Sequence, residues 1–352
     1  MKSFVKTLSI VMALCLMLSA CGGSSPAASS QVPVSSSAPA QTPSSEAPES
    51  SKEPVAEPVT VRLAGMKGPT TMGMVKLLSD SEAGNTKNDY DFFLAGAADE
   101  ITPKLIQGEL DLAAVPVNLA SVLYNKTEGN IDLLAVNTLG VLYLADTTGE
   151  ISSIADLKGK TIYATGKGST PEYTLRYLLK ENGLDPDNDV TIEFKSEPTE
   201  VVALLKQGGG AAMLPQPFAT VAKTQVEGLE VVLDLTREWE ALDAGSSLIT
   251  GVLVGRSEFV EENPEVVAAF LEEYTASTVY ANKNVAETAA LVENYGIVKA
   301  AIAEKALPAC NIVCIRGEEM KTGVSGYLKV LFEQNPKAVG GKLPDDDFYY
   351  IP

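Results

Sequence analysis

Lys67-Gly68-Pro69-Thr70 and, one hundred positions on, Lys167-Gly168-Ser169-Thr170 are two versions of one phrase. Each follows a short apolar run that reads as a β-strand, over 60–65 and 161–166, and each opens a stretch with helical spacing. The echo continues downstream. Gln107-Gly108 leads into Leu110-Asp111-Leu112-Ala113-Ala114-Val115-Pro116, and Gln207-Gly208 leads into Ala211-Ala212-Met213-Leu214-Pro215, the register slipping by one at the proline. A strand–glycine–helix unit that occurs twice, each copy ending in a proline-led turn, predicts two similar halves facing one another.

The chemistry of that turn is specific. Glycine lets the backbone adopt φ > 0 and approach a ligand closely. A helix start leaves unpaired N–H groups and a partial positive charge, to which a lysine adds a full one and a threonine or serine a hydroxyl. Lys67, Gly68, Thr70 and Thr71 in the first copy, and Lys167, Ser169 and Thr170 in the second, are therefore candidates to hold an anion or a carbonyl oxygen. In the second copy either Thr170 caps the helix with Pro171 next to it, or Ser169 and Glu172 form a capping box. The proline turns add Pro116 with Asn118, and Pro215 with Gln216, whose amides offer both donors and acceptors to a small polar ligand. Trp239, the single tryptophan, stands in Glu238-Trp239-Glu240 as either a ligand wall or a packing residue between the halves.

The chain has 352 residues and a formal net charge of −19. That balance argues against nucleic acid and against long-range steering of anions, so any anion recognition must be local. Lys2 and Lys6 precede an apolar run over 8–18, too short to span a membrane and laid out as a secretory signal over 1–20. The run ends Leu18-Ser19-Ala20-Cys21, which resembles the lipobox of bacterial lipoproteins; the resemblance implies cleavage before Cys21 and attachment of lipid to its thiol. Residues 21–58 are rich in Ser, Pro and Ala without apolar periodicity, the composition of a disordered tether. The expected location is the extracytoplasmic face of the cell membrane.

Alternating strand-like and helix-like stretches from 60 to 235 give a βαβ rhythm, hence mostly parallel sheets flanked by helices, with ligands outside the carboxyl ends of the strands. The apolar run over 248–254 carries the chain back to the first lobe, and the helices after it cover that lobe. The expected organisation is lobe 1 from 59–145 plus 246–352 and lobe 2 from 146–245, with hinge crossings near 140–150 and 242–250.

No catalytic constellation is visible. There is no histidine, so a Ser–His–Asp triad is impossible, and zinc, copper and iron sites lose their commonest ligand. Paired acids such as Asp99-Glu100 and Glu261-Glu262 read as solvated faces. Cys310 and Cys314, spaced Cys-x3-Cys, are either a local disulfide or two free thiols. No metal and no cofactor is implied.

Ala155-Asp156-Leu157-Lys158-Gly159-Lys160, the following strand and Gly-Ser/Thr turn, Asn182-Gly183-Leu184, Asp189-Val190 and the Pro215–Phe218 turn together resemble periplasmic-type solute-binding proteins. The subgroup is the nitrate/sulfonate/taurine/bicarbonate one, which includes thiamine-precursor binders. The resemblance implies a type II two-lobed clamp, a monomer that closes on a small solute and delivers it to an ABC permease and its ATPase. It implies no enzyme, and the alternatives are a surface enzyme on the same scaffold or a ligand-sensing lipoprotein. The acid often found after glycine in the second lobe is replaced here by Gly209-Gly210-Ala211, while Asp111 keeps it in the first.

Overall fold

The computed structural model describes residues 58–242 and 245–352. The expected signal over 1–20, the lipidation site Cys21 and nearly all of the expected tether lie outside the described residues. The first half runs β1 (Thr60–Met66), α1 (Pro69–Met72), α2 (Val75–Glu82), β2 (Asp89–Ala95), α3 (Thr102–Ile106), β3 (Leu112–Pro116), α4 (Val117–Lys126), β4 (Ile131–Leu139) and β5 (Leu142–Asp146). The second runs β6 (Thr161–Ala164), α5 (Thr170–Glu181), β7 (Thr191–Phe194), α6 (Pro198–Gly208), β8 (Ala211–Pro215), α7 (Phe218–Gln225), β9 (Glu230–Asp234), α8 (Leu235–Glu240) and β10 (Ile249–Arg256). A tail adds α9 (Ser257–Glu262), α10 (Pro264–Lys283), α11 (Val285–Asn294), α12 (Ala300–Ala306), β11 (Ile312–Ile315) and α13 (Gly317–Gln334).

The sheets make the repeat explicit. One is ordered β2-β1-β3-β10-β4-β11 and the other β7-β6-β8-β5-β9. In each, an inner strand from the other half of the sequence runs against four that share a direction; in the first sheet the edge strand β11 is antiparallel to β4 as well. β5 lies antiparallel between β8 and β9, and β10 lies antiparallel between β3 and β4. The run expected at 248–254 thus returns to the first sheet as its central strand. β5 belongs to the second sheet, so the first crossing falls at Gly140-Val141, ahead of the expected division at 145.

Side chains alternate along the strands as the pleat requires. In β3, Leu112 and Ala114 join the apolar cluster under α10, while Ala113 and Val115 face a second cluster. That second cluster continues through Trp239, Tyr327 and Leu328 to Leu144, Ile162 and Met213 of the other sheet, so a continuous apolar seam joins the halves. On α10, Val267, Phe270, Leu271, Tyr274 and Ala281 recur at helical spacing and are buried.

Two local readings differ from expectation. The helical stretch opened by the first turn is broken into α1 and α2 at Gly73-Met74, where the tail comes close: a Cβ on Gly73 would stand 2.8 Å from Ile312 Cγ2 and 3.0 Å from the Tyr274 hydroxyl. Cys310 and Cys314 are free thiols. Burial pushes both up in pKa, and Cys310 is fully enclosed. Among the described residues, no helix is long and apolar enough to cross a membrane, and no group of three acidic or cysteine side chains is placed to hold a metal ion.

Candidate functional site

A cleft of about 140 Å³ opens where the carboxyl ends of strands from both sheets meet. Met66, Lys67, Gly68, Pro69 and Thr70 come from the β1–α1 turn, Pro116 from the end of β3, and Thr138, Val141 and Leu142 from the first crossing. The second half contributes Thr165, Gly166, Ser169 and Pro171 after β6, Ser196 and Pro198 after β7, and Pro215 and Gln216 after β8. Strand ends that share a direction bring these turns to one rim, which is why ligands of such sheets sit there.

Of the expected site residues, Lys67, Gly68, Thr70, Pro116, Ser169, Pro215 and Gln216 line this cleft. Gly68 (φ 155°) and Gly168 (φ 74°) both use backbone conformations that favour glycine. Lys67 is exposed at the rim. Gln216 accepts from Thr220 Oγ1 at 2.9 Å through Oε1, which leaves its NH₂ without a partner among the described residues.

The other expected residues have different surroundings. Thr71 is fully buried and donates to Met66 O at 2.6 Å, holding the turn itself. Asn118 and Thr170 are both fully buried and bonded to each other: Thr170 Oγ1 donates to Asn118 Oδ1 at 3.1 Å. The Asn118 amide also donates to Ala338 O at 3.0 Å and Gly168 O at 3.3 Å. Lys167 turns away to a wider outer groove that it shares with Lys126, Lys195 and Asp99. Trp239 is 0 % exposed. Its ring lies 4.6 Å from that of Tyr177 and 5.2 Å from that of Tyr327, and its Nε1 donates to Ser246 O at 2.8 Å. It cements the seam between the halves and does not reach the cleft.

At the second of the two expected helix-terminal sites the chain supplies its own anion. Ser169 is the N-cap of α5, but its hydroxyl donates to Gly166 O at 2.8 Å and caps no N–H. Glu172 Oε2 accepts from Gly168 N at 2.6 Å, so a carboxylate already sits at that positive helix end. Beside the cleft, Glu100 Oε1 accepts from Gly96 N at 2.8 Å and Ala97 N at 3.0 Å. Around the cleft the chain leaves a set of buried hydroxyls unpaired. Thr70, Thr138 and Thr250 line the cleft, and the buried Oγ1 of each has no hydrogen-bond partner among the described residues. Thr138 and Thr250 were not singled out from sequence, since a lone threonine in a strand carries no local signature.

The lining has a clear chemical character. It holds no aromatic ring, no Asp or Glu, and one lysine at its edge. Heterocycles gain no stacking partner there, and an ammonium group would meet no carboxylate.

The family described as NMT1/THI5 like matches residues 129–288. None of the curated proteins matches the chain. A solved ABC transporter structure from Parabacteroides distasonis is similar at 26% identity and a TM-score of 0.69, over 84% of this chain and 99% of that one. The periplasmic aliphatic sulphonate binding protein of Escherichia coli shares 18% identity with a TM-score of 0.67, over 83% of this chain and 96% of its own. The periplasmic nitrate-binding protein of Synechocystis shares 15% identity with a TM-score of 0.55, over 67% and 66%. The chain thus has the type II periplasmic-binding-protein fold of these solved structures, with the NMT1/THI5 like match running through its centre.

Proposed function

We propose that the chain is the extracytoplasmic solute-binding component of an ABC importer, taking a small aliphatic solute between its two lobes and handing it to a permease driven by an ATPase. The lobes are the two sheets with their helices, the first completed by the residues after about 246. The observation that carries this reading is the cleft at the strand ends, walled by both halves and supplied with unpartnered hydroxyls. Cavities of about 150 Å³ accept molecules on the scale of benzene, so a cleft of about 140 Å³ suits a solute of few non-hydrogen atoms. The missing aromatic and acidic lining disfavours a thiamine precursor and an amine-bearing solute such as taurine. It favours a sulfonate or another compact, oxygen-bearing head.

The lipobox-like Leu18-Ser19-Ala20-Cys21 and the Ser/Pro-rich stretch after it support a lipid anchor at Cys21 and a tether to the outer face of the cell membrane. The binding reading is also favoured over an enzyme by the similar sulphonate-binding and nitrate-binding structures. Binding shifts an open–closed equilibrium only as far as the solute prefers the closed form.

The test is a thermal-shift screen of small sulfonates, oxyanions, carboxylates and amides on the full chain, repeated with Ala97→Trp, which puts a large ring at a residue that lines the cleft. A solute that raises the Tm of the wild type and leaves Ala97→Trp unmoved supports the reading. A solute consumed and released as a different product, with no transporter present, would point to the enzymatic alternative.

A further inference from the structure

Three threonines from distant parts of the chain carry the cleft's unpartnered hydroxyls: Thr70 at the start of α1, Thr138 near the end of β4 and Thr250 at the start of β10. Thr70 is 4 % exposed and Thr138 0 %. A buried hydroxyl left unpaired destabilises a folded chain; Thr236, Ser246, Tyr274 and Thr288 also carry one, and the three threonines are set apart by lining one cleft.

Their convergence follows from the topology. Insertion of β10 between β3 and β4 pairs Gly251 with both Pro116 and Thr138. A Cβ on Gly251 would stand 2.6 Å from Thr70 Cγ2 and 3.4 Å from Thr138 Cβ, so this glycine is the floor around which the threonines gather. The repeat explains why Thr70 is unpaired. Its counterpart Thr170 is served by Asn118, two positions after Pro116. Two positions after the matching Pro215 stands Pro217, which has no side-chain amide to offer Thr70. A hydroxyl without a partner can turn about χ1 toward the cleft at the cost of a rotamer change alone.

We propose that Thr70, Thr138 and Thr250 form a head-group subsite that grips the acceptor oxygens of an aliphatic solute, whose body lies against Met66, Pro69, Val141, Leu142 and Pro215. The inference rests on the reading of the cleft as the solute site. Threonine hydroxyls donate to an ionised sulfonate and to a neutral amide carbonyl alike, and the lining holds no carboxylate for an ammonium head.

The test uses the full chain and three probes of one body and three heads, namely butanesulfonate, butyramide and butylamine, with affinities read by calorimetry. The proteins are the wild type, Thr70→Val, Thr138→Val, Thr250→Val and Ala97→Trp. Valine keeps the shape of threonine and removes the hydroxyl. The expected result is that butanesulfonate or butyramide binds and that each valine variant weakens it about tenfold or more. The Tm of each unliganded valine variant is expected to stay level or rise. Sulfonate binding alone marks an ionised head, and amide binding a neutral one. Undiminished affinity in the valine variants overturns the subsite, as does a fall in their unliganded Tm, which would show structural hydroxyls. Butylamine as the only ligand, or no binding by any probe at about 10 mM, overturns it too. Binding that survives Ala97→Trp lies outside the cleft and overturns the proposed solute site itself.

Discussion

Asn118 and Thr170 share a 3.1 Å hydrogen bond from one half of the chain to the other, while Thr70, at the matching place in the first repeat, has no partner. Two turns alike in sequence therefore differ in what they leave open. The second is closed by Asn118 and by the Glu172 carboxylate on Gly168 N. The first keeps its hydroxyl unpaired at the cleft wall, and its lysine is exposed at the rim. The asymmetry places the open polar groups mainly in the lobe built on β1, β3 and β10, with Gln216 facing them from the other.

Replacing each threonine separates the two roles. Thr170→Val leaves Asn118 Oδ1 buried without its donor, a loss of about 1–3 kcal/mol. Thr70→Val removes a hydroxyl that has no partner, so the unliganded protein is unchanged or slightly more stable. Urea denaturation at constant m-value reads both: the midpoint falls for Thr170→Val and holds for Thr70→Val. Equal losses in the two variants would mean that Thr70 Oγ1 has a structural partner.

The fold was legible where the signal is local. Strand–glycine–helix periodicity marks β1 and β6 to within two residues, and the apolar run over 248–254 marks β10. β11 was missed because its four residues, Ile312–Ile315, fall between helices and echo nothing else in the chain. The site was legible only in part, for the same reason. Glycine and proline turns announce themselves, so Gly68, Pro116 and Pro215, which line the cleft, are legible in the sequence. Thr138 and Thr250 are neighbours only because β10 enters the first sheet from far along the chain. For Trp239 the sequence leaves two roles open, because nearness to a crossing does not say which way a ring faces; Tyr177 and Tyr327 enclose it, which is the packing role.

The buried position of Trp239 has an optical consequence, since it is the sole tryptophan. Its emission in the folded chain should be blue-shifted and poorly quenched by acrylamide, and butanesulfonate binding in the cleft should alter its intensity only slightly. Trp239→Ala removes a fully buried ring from between two tyrosines and should cost about 3–5 kcal/mol. Red-shifted, readily quenched emission from the native protein would contradict the observed packing.

At the opposite end of β3 from the cleft, Asp111 ties two arginines. Burial pushes its carboxyl up in pKa, but Arg62, through Nε at 2.8 Å and its backbone N–H at 2.9 Å, and Arg256 at 3.2 Å together hold it below the usual carboxylate value. Lowering in the folded state means that the stabilisation is fully present above the unfolded value, about pH 3.9, and is lost as pH falls through the folded one. Asp111→Asn should therefore lose about 2 kcal/mol at pH 7, and the gap to wild type should narrow below about pH 4. Denaturation midpoints from pH 7 down to about 3 check this, and a gap independent of pH would show that charge has no part in it.

Gly251→Ala tests the floor of the cleft. The residue lies in the middle of the first sheet, paired on both sides, and its new Cβ would stand 2.6 Å from Thr70 Cγ2 and 2.7 Å from Asn137 Oδ1. Real Cβ contacts are not that short, so either β10 moves or Thr70 and Asn137 do. Moving a central strand disturbs Val252, Leu253 and Val254, all fully buried, whereas Thr70 borders open space in the cleft and can give way more easily. Overpacking of this kind costs about 1–3 kcal/mol, enough to lower the Tm by several degrees without unfolding the chain. The displaced threonine then occupies room meant for the solute head, and affinity for butanesulfonate or butyramide should fall by more than the stability loss accounts for. Calorimetry on the folded variant, below its own Tm, separates the two effects. Full affinity in a destabilised but folded Gly251→Ala would place the solute head away from Thr70 and Thr138.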